Sequence, residues 1–220
     1  MIALEKSGPP AWIQQNGVEK TREYMAAPKG KKPTPWGYSA VVDALRSECR
    51  SKCMYCESKM THCSYSEVEH IRPKSKFEQS VLEWTNLGLS CARCNRSKSD
   101  YWPDNPDLRV LNPYEDPIDD HLEFRGPLVV SRLDSKRGEN TIRKLKFDER
   151  DDLVIAKMRR IQELHRILLI WRNEPDPELK TLYAEDVDSH LSVDQEFCGT
   201  LRAYAASFGF AYSGAISGGR

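Results

Sequence analysis

The apolar positions of this chain change period several times. After Ser39, a residue type suited to helix capping, Val41 and Leu45, and Val42 and Cys49, recur at helical spacing and predict a helix over 40–49. The run Tyr65 to Ile71 places Val68 and Ile71 among polar residues, with Pro73 beyond, which predicts a strand ending in a loop. Leu87 to Leu89 reads as a second short strand, and residues 92–99, free of helix breakers, as a short helix opening at Cys91-Ala92-Arg93-Cys94. Past residue 103 the prolines of PDNPD and NPYEDP argue against regular structure, and Leu128 to Leu133 reads as a further strand. From about Glu139 the chain reads as helical, with Val154, Met158, Ile161, His165 and Leu168 as its apolar stripe and Arg159, Arg160 and Arg166 off it. Pro175 and Pro177 interrupt it, Pro177 at a position suited to opening the next helix. Ser192 with Gln195 gives a capping-box signature for a last helix running to about Ser207. Residues 1–36, broken by Pro9-Pro10 and by PKGKKPTP at 28–35, read as an irregular arm with one or two short helical pieces, and 213–220 as a loose tail.

These elements predict an α+β, mainly helical protein in three stretches: an arm over 1–38, a chemistry-rich unit over 39–125 and a mainly helical region over 126–220. Composition narrows the class. With 39% hydrophobic and 30% charged residues in 220, the chain can bury a core, and no run of about 18 apolar residues spans a membrane. The opening MIALEKSGPP has no secretory apolar region, so a cytoplasmic location is expected. Net charge is zero, with a surplus of four positive charges over 1–60 and a deficit of three over 151–220. A chain that grips long nucleic acid alone usually shows a basic excess, so the expected grip is one small groove or a shared one.

Seven cysteines in a reducing compartment point to metal rather than disulfides. Cys53 and Cys56 form one C-x-x-C, Cys91 and Cys94 a second, and four thiolates are what a tetrahedral structural zinc needs. The 34 residues between the pairs exceed what a bare ribbon requires, so more is expected inside that loop. Cys49, Cys63 and Cys198 read as ordinary buried thiols, and His62, His121, His165 and His190 as structural or exposed.

Between the knuckles stand Glu69-His70-Ile71-x-Pro73 and Trp84-Thr85-Asn86-Leu87, and the second knuckle continues as Cys94-Asn95-x-x-Lys98. Over about residues 50–100 this resembles the HNH endonuclease motif, whose fold is a zinc-stabilised ββα-metal finger, here embedded in a helical scaffold. Phosphodiester hydrolysis needs a base for water, suited to an imidazole of near-neutral pKa, and a cation at the phosphate and departing oxygen. The resemblance implies His70 as that base, Glu69 and Asn95 as oxygen ligands of one Mg²⁺ or Mn²⁺, and Asn86 as the residue that fastens the loop and orients His70. Asn95 stands where many relatives have the final His, and Glu69 where Asp is frequent; both keep an oxygen ligand. Arg72, Lys74, Lys76, Arg93, Arg96 and Lys98 are then the expected phosphate contacts.

Cys53-x-Tyr55-Cys56-Glu57, Glu69-His70-Ile71-Arg72-Pro73-Lys74-Ser75, Leu111-Asn112-Pro113-Tyr114-Glu115-Asp116-Pro117 and His121-Leu122-Glu123-Phe124 further resemble the PtuB-type HNH nucleases of bacterial Septu and retron anti-phage defence. That likeness, over about 50–125, implies an effector working with a PtuA-type ATPase, and in retrons also with a reverse transcriptase and its RNA-linked DNA. No Gly-rich phosphate loop occurs in this chain, so ATP binding is expected in the partner. The arm and the region after about 139 are candidate docking segments. The alternatives are an autonomous restriction-type endonuclease and a non-catalytic zinc module that binds nucleic acid or protein. DNA duplex, single strands and structured RNA all remain open as substrate.

Overall fold

The computed structural model describes residues 1–60 and 66–214. His62, Cys63, Tyr65 and the tail from 215 onward lie outside the described residues.

The arm is more regular than its composition suggests. Helix α1 spans Ala11–Ala26 and begins directly after Pro9-Pro10, because Pro10 holds an extended backbone whose carbonyl accepts from the Ile13 and Gln14 amides at 2.9 and 3.2 Å. The prolines thus start a 16-residue helix, longer than the short helical pieces expected in the arm. A 3-10 turn at Pro35–Gly37 leads into α2, Ser39–Glu48, which buries Val41 and Leu45; Ser39 is its first helical residue rather than its cap.

Strands β1, Ser66–His70, and β2, Leu87–Cys91, pair antiparallel with Glu67 opposite Ser90 and Glu69 opposite Gly88. Helix α3, Ala92–Lys98, follows β2 without a linker, and the Cys91 sulfur accepts from the Cys94 amide at its N-terminus. This is the ββα order. A four-residue helix α4, Ile118–His121, precedes the hairpin of β3, Leu122–Arg125, and β4, Leu128–Ser131, turning at Gly126 with φ +56°. Strand β3 was not anticipated: only the four residues of α4 separate it from the proline-rich stretch.

Beyond the hairpin the described residues form four helices: α5 (Lys136–Leu145), α6 (Asp151–Asn173), α7 (Pro177–Leu191) and α8 (Cys198–Ser207). Lys146, at φ +56°, ends α5, which divides the helix expected from Glu139. Pro177 opens α7 at its first turn, capped by Asp176, whose carboxylate accepts from the Glu178 and Leu179 amides. The Ser192–Gln195 pair caps nothing: Ser192 ends α7, and α8 starts only after Phe197, which lacks a side-chain cap. On α6 the buried residues are Leu153, Lys157, Ile161, Leu164 and Leu168. The expected stripe shares only Ile161 and Leu168 with it, because Lys157, polar in sequence, is buried.

Two cores result. The larger joins Met1 and Ile13, Val41 and Leu45, the four paired cysteines, Leu87 and Leu89, then Leu145, Leu153 and Phe197. The boundaries expected at 38 and 125 are therefore not boundaries of packing, since the finger buries its faces against segments from both sides of it. Glu57 illustrates the join: its carboxylate accepts from the Met1 ammonium at 2.8 Å and from the Gly199 amide at 3.0 Å. The second core is Ile161, Leu164 and Leu168 of α6 against Val187 and Leu191 of α7 and Leu201 and Ala205 of α8. No helix among the described residues is long and apolar enough to cross a membrane.

Candidate active site

The Cys53–Cys56 turn hangs on the finger by a hydrogen bond from the Met54 amide to the Leu89 carbonyl (2.9 Å), which brings it over the β2–α3 junction. There the sulfurs of Cys53, Cys56, Cys91 and Cys94, all buried, lie within 4.8 Å of one another. Zinc–sulfur bonds of about 2.3 Å in a tetrahedron place sulfurs about 3.8 Å apart; Cys56 and Cys91 are separated by 3.9 Å. Burial and the neighbouring sulfurs push the Cys53 thiol well above its ordinary value, whereas hydrogen bonds from the neighbouring thiols pull Cys56 well below it. The donor set fits zinc. Arg150, buried at the start of α6, sets Nη1 3.3 Å from the Cys94 sulfur and adds positive charge beside the cluster. Cys49 and Cys198 are buried apart from it; burial raises Cys198 to about 11.

A cleft of about 380 Å³ opens between β1, the following loop and α3, lined among others by Glu67, Glu69, His70, Lys74, Asn95 and Arg96. His70, only 5% exposed, places Nε2 3.1 Å from the Val81 carbonyl. A carbonyl only accepts, so Nε2 carries the proton and Nδ1 keeps its lone pair. Burial, and then the charges of Lys74 and Lys98, hold His70 down at about 4, so the ring is neutral near pH 7. That lies below the near-neutral value expected of the base.

Asn86, 2% exposed, joins both ends of the loop that follows His70. Its Oδ1 accepts from the Arg72 amide at 2.7 Å, and its Nδ2 donates to the Arg72 and Ser80 carbonyls at 3.2 and 3.1 Å. Glu69, 1% exposed, takes Lys98 Nζ at 2.6 Å and Tyr55 Oη at 3.3 Å on the same oxygen, Oε1. Burial raises its pKa, partly offset by Lys98. Among the described residues Oε2 has no protein partner. Asn95 Nδ2 donates to Glu67 Oε2 at 2.7 Å. Carboxylate and amide oxygens lining one cleft are the hard donors that Mg²⁺ and Mn²⁺ take, so these residues fit a divalent ion.

Comparison with known proteins matches residues 53–101 to the HNH endonuclease family model. The chain is also similar to Septu protein PtuB of Bacillus mycoides strain KBAB4, 26% identical over an alignment covering 88% of this chain and 82% of that protein. A second Septu protein PtuB, from Bacillus thuringiensis, is 29% identical over 72% of this chain and 59% of its own length. The chain carries an HNH domain and is related to PtuB.

Within the HNH domain, the six cations expected at phosphate separate into different environments. Lys74 and Arg96 are exposed and line the cleft. Arg72 is half-buried and pairs with Glu83 at 2.6 Å, Arg93 is exposed and pairs with Asp152 at 2.6 Å, and exposed Lys76 reaches the Trp102 carbonyl at 3.4 Å. Lys98 departs from the expectation: 2% exposed, it donates to Glu69 and to the His70 carbonyl at 2.9 Å and cannot serve a surface phosphate contact. Its aliphatic stem and charge complete the interior between α3 and β1.

Three residues that line or back the site had been given no role. Glu67 shares a face of β1 with Glu69, which the two-residue period of a strand could have revealed. Tyr55, between the first two cysteines, reaches Glu69 through its hydroxyl. Trp36, in the 3-10 turn before α2, stands with its ring 4.7 Å from that of His70 at 86°; nothing local in the sequence signals this contact. Outside the cleft, His121 Nδ1 and Ser135 Oγ lie 2.8 Å apart, as do His165 Nδ1 and Tyr204 Oη, in structural hydrogen bonds.

Proposed function

We propose that this chain is a metal-dependent HNH endonuclease that hydrolyses phosphodiester bonds in nucleic acid, and that it is the effector subunit of a Septu-type anti-phage complex with a PtuA-type ATPase. The observation that carries the reading is the His70 ring, kept neutral and given one tautomer by the Val81 carbonyl in a cleft shared with Glu67, Glu69 and Asn95. In that role His70 Nδ1 accepts the proton of the attacking water, while Asn86 keeps the loop from Arg72 to Ser80 closed behind it. Glu69 and Asn95, with Glu67 beside them, hold Mg²⁺ or Mn²⁺, which supplies charge neutralisation at the phosphate and the departing oxygen. Lys74 and Arg96 receive the flanking phosphates, and Arg72, Arg93 and Lys76 extend the basic rim once released from their present partners. The cysteine cluster holds a structural zinc. The PtuB relatives bear the Septu name, which favours that context over a retron one, and zero net charge suits a subunit whose grip on nucleic acid is shared.

The test is cleavage of plasmid DNA, single-stranded DNA and total tRNA in Mg²⁺ by wild type and His70→Ala, each with and without a PtuA-type ATPase. Cutting that needs both His70 and the ATPase is the expected result. Cutting by the chain alone transfers the reading to an autonomous endonuclease. Equal cutting by His70→Ala and wild type refutes the mechanism, and no cutting in any combination favours a binding module.

A further inference from the structure

The matched HNH segment begins at residue 53, yet the ring of His70 is held from outside it. Trp36 stands edge-on to the imidazole, ring centroids 4.7 Å apart and planes at 86°. Trp36 is fixed in turn. It sits in the 3-10 turn opened by buried Pro35, whose closing hydrogen bond runs from the Gly37 amide to the Thr34 carbonyl at 3.0 Å. Its indole meets the Tyr24 ring of α1 at 5.6 Å and 66°, and the Lys74 ammonium lies 5.3 Å from its centre.

The same arm also backs the other contact of His70. Tyr24, Val81 and Leu82 form one buried cluster, with Trp12 and Trp36 packed on it, and Val81 is the residue whose carbonyl receives His70 Nε2. Lys32 ties the arm to the loop by an ion pair with Glu78 at 2.5 Å and lies 4.5 Å over the Tyr24 ring. Residues 24–36 therefore touch both constraints on the imidazole: the aromatic wall against the ring, and the peptide that sets its tautomer.

We infer that the N-terminal arm is a clamp for the base, with Trp36 as the positioning residue that keeps the His70 imidazole in one rotamer and one tautomer. The inference rests on His70 being the base. The physical ground is that a ring with one hydrogen bond can still pivot about it, whereas a second contact perpendicular to the ring removes that freedom. The edge-to-face geometry is the favoured one for such a pair. A base displaced by about 1 Å loses on the order of 100-fold in rate, so the contact acts on turnover and not on substrate affinity.

The experiment compares full-length wild type, Trp36→Ala, Trp36→Leu, Trp36→Phe and His70→Ala. Folding is monitored by melting and zinc content, and the His70 tautomer by long-range proton–nitrogen correlation in the ring. Cleavage is measured in Mg²⁺, with the ATPase present where cutting requires it. The expected result is a single Nε2–H tautomer in wild type and Trp36→Phe, and a mixture in Trp36→Ala and Trp36→Leu. With it goes a kcat fall of roughly 10- to 100-fold at unchanged KM. Should Trp36→Ala not fold, the isosterically closer Trp36→Leu supplies the same readouts. Wild-type turnover with one tautomer in a folded Trp36→Leu, while His70→Ala is dead, overturns the clamp and leaves the nuclease reading standing. A rise in KM alone assigns Trp36 to substrate and also overturns it. If His70→Ala cuts as well as wild type, the reading of the base fails, and the catalytic clamp with it.

Discussion

Replacing Lys98 by Met tests how the interior of the finger balances its charge. Lys98 and Glu69 are an ion pair of 2.6 Å with side chains 2% and 1% exposed, and Lys98 Nζ also donates to the His70 carbonyl. Methionine fills nearly the same volume, so the lost charge is the main change. Removing one member of a buried pair leaves the other ion uncompensated, at a cost of about 3–5 kcal/mol. For a chain of this size each kcal/mol moves Tm by roughly 2–4 °C, which gives a fall of about 6–20 °C. The Tyr55 hydroxyl still reaches Glu69 and keeps the fall toward the lower end. Scanning calorimetry in excess zinc, near neutral pH and without Mg²⁺, measures it. The double variant Lys98→Met/Glu69→Gln should recover most of the loss, because no charge is left to strand. The sign with pH follows from the raised pKa of Glu69. A carboxyl whose folded pKa lies above its unfolded one favours folding at low pH and loses that contribution as pH rises through the folded value. The deficit of Lys98→Met therefore shrinks on acidification. Added Mn²⁺ should raise Tm more in Lys98→Met than in wild type, since a divalent ion at Glu69 replaces the missing cation. Melting of Lys98→Met within about 1 °C of wild type, or a double variant less stable than the single one, would refute this reasoning.

Cys91→Ser removes a sulfur that both belongs to the cysteine cluster and caps α3, so bound zinc and the cooperative melting of the finger should both be lost; metal analysis and circular dichroism check it, and an unchanged melt contradicts the assignment. Gly138→Ala should lower Tm although alanine is the better helix former by about 1 kcal/mol, because the new methyl would stand 2.3 Å from the His121 carbonyl oxygen, a backbone atom that yields little. A higher Tm for that variant counts against the packing described. Burial by itself would raise Glu57, but the Met1 ammonium and the Gly199 amide overrule it and hold the carboxyl at about 2. A depressed carboxyl contributes fully above its unfolded pKa of 4.5 and loses that contribution as pH falls toward 2, so the stability gap between wild type and Glu57→Gln, about 3 kcal/mol, should close across that window. A gap independent of pH excludes the pairing as its source.

The parts of the site that could be read in the chain are those whose chemistry repeats at short spacing. Two C-x-x-C pairs, a Glu-His pair and an Asn directly after the second pair need no long-range knowledge, because each is positioned by a turn, a strand end or a helix start of its own. Asn86 was legible for the same reason. Lys98 was not: a lysine in a basic run reads as surface, and only the docking of α3 on β1 turns it inward to Glu69. The register of α6 slipped for a similar reason at Lys157, a charged residue whose burial beside Glu57 no periodicity of apolar residues can register.

Local pattern therefore carried the order β1, β2, α3, the helical class of the C-terminal half, and the four cysteines of the buried cluster. It carried these because backbone hydrogen bonding and ligand spacing are short-range constraints. The larger core, shared by Met1, the finger and Phe197, the tie of Glu57 to α8, and the placing of Trp36 against His70 were settled by packing between segments far apart in sequence. Burial and ring geometry depend on which surfaces meet, and that information is distributed over the whole chain and not held in any window of it.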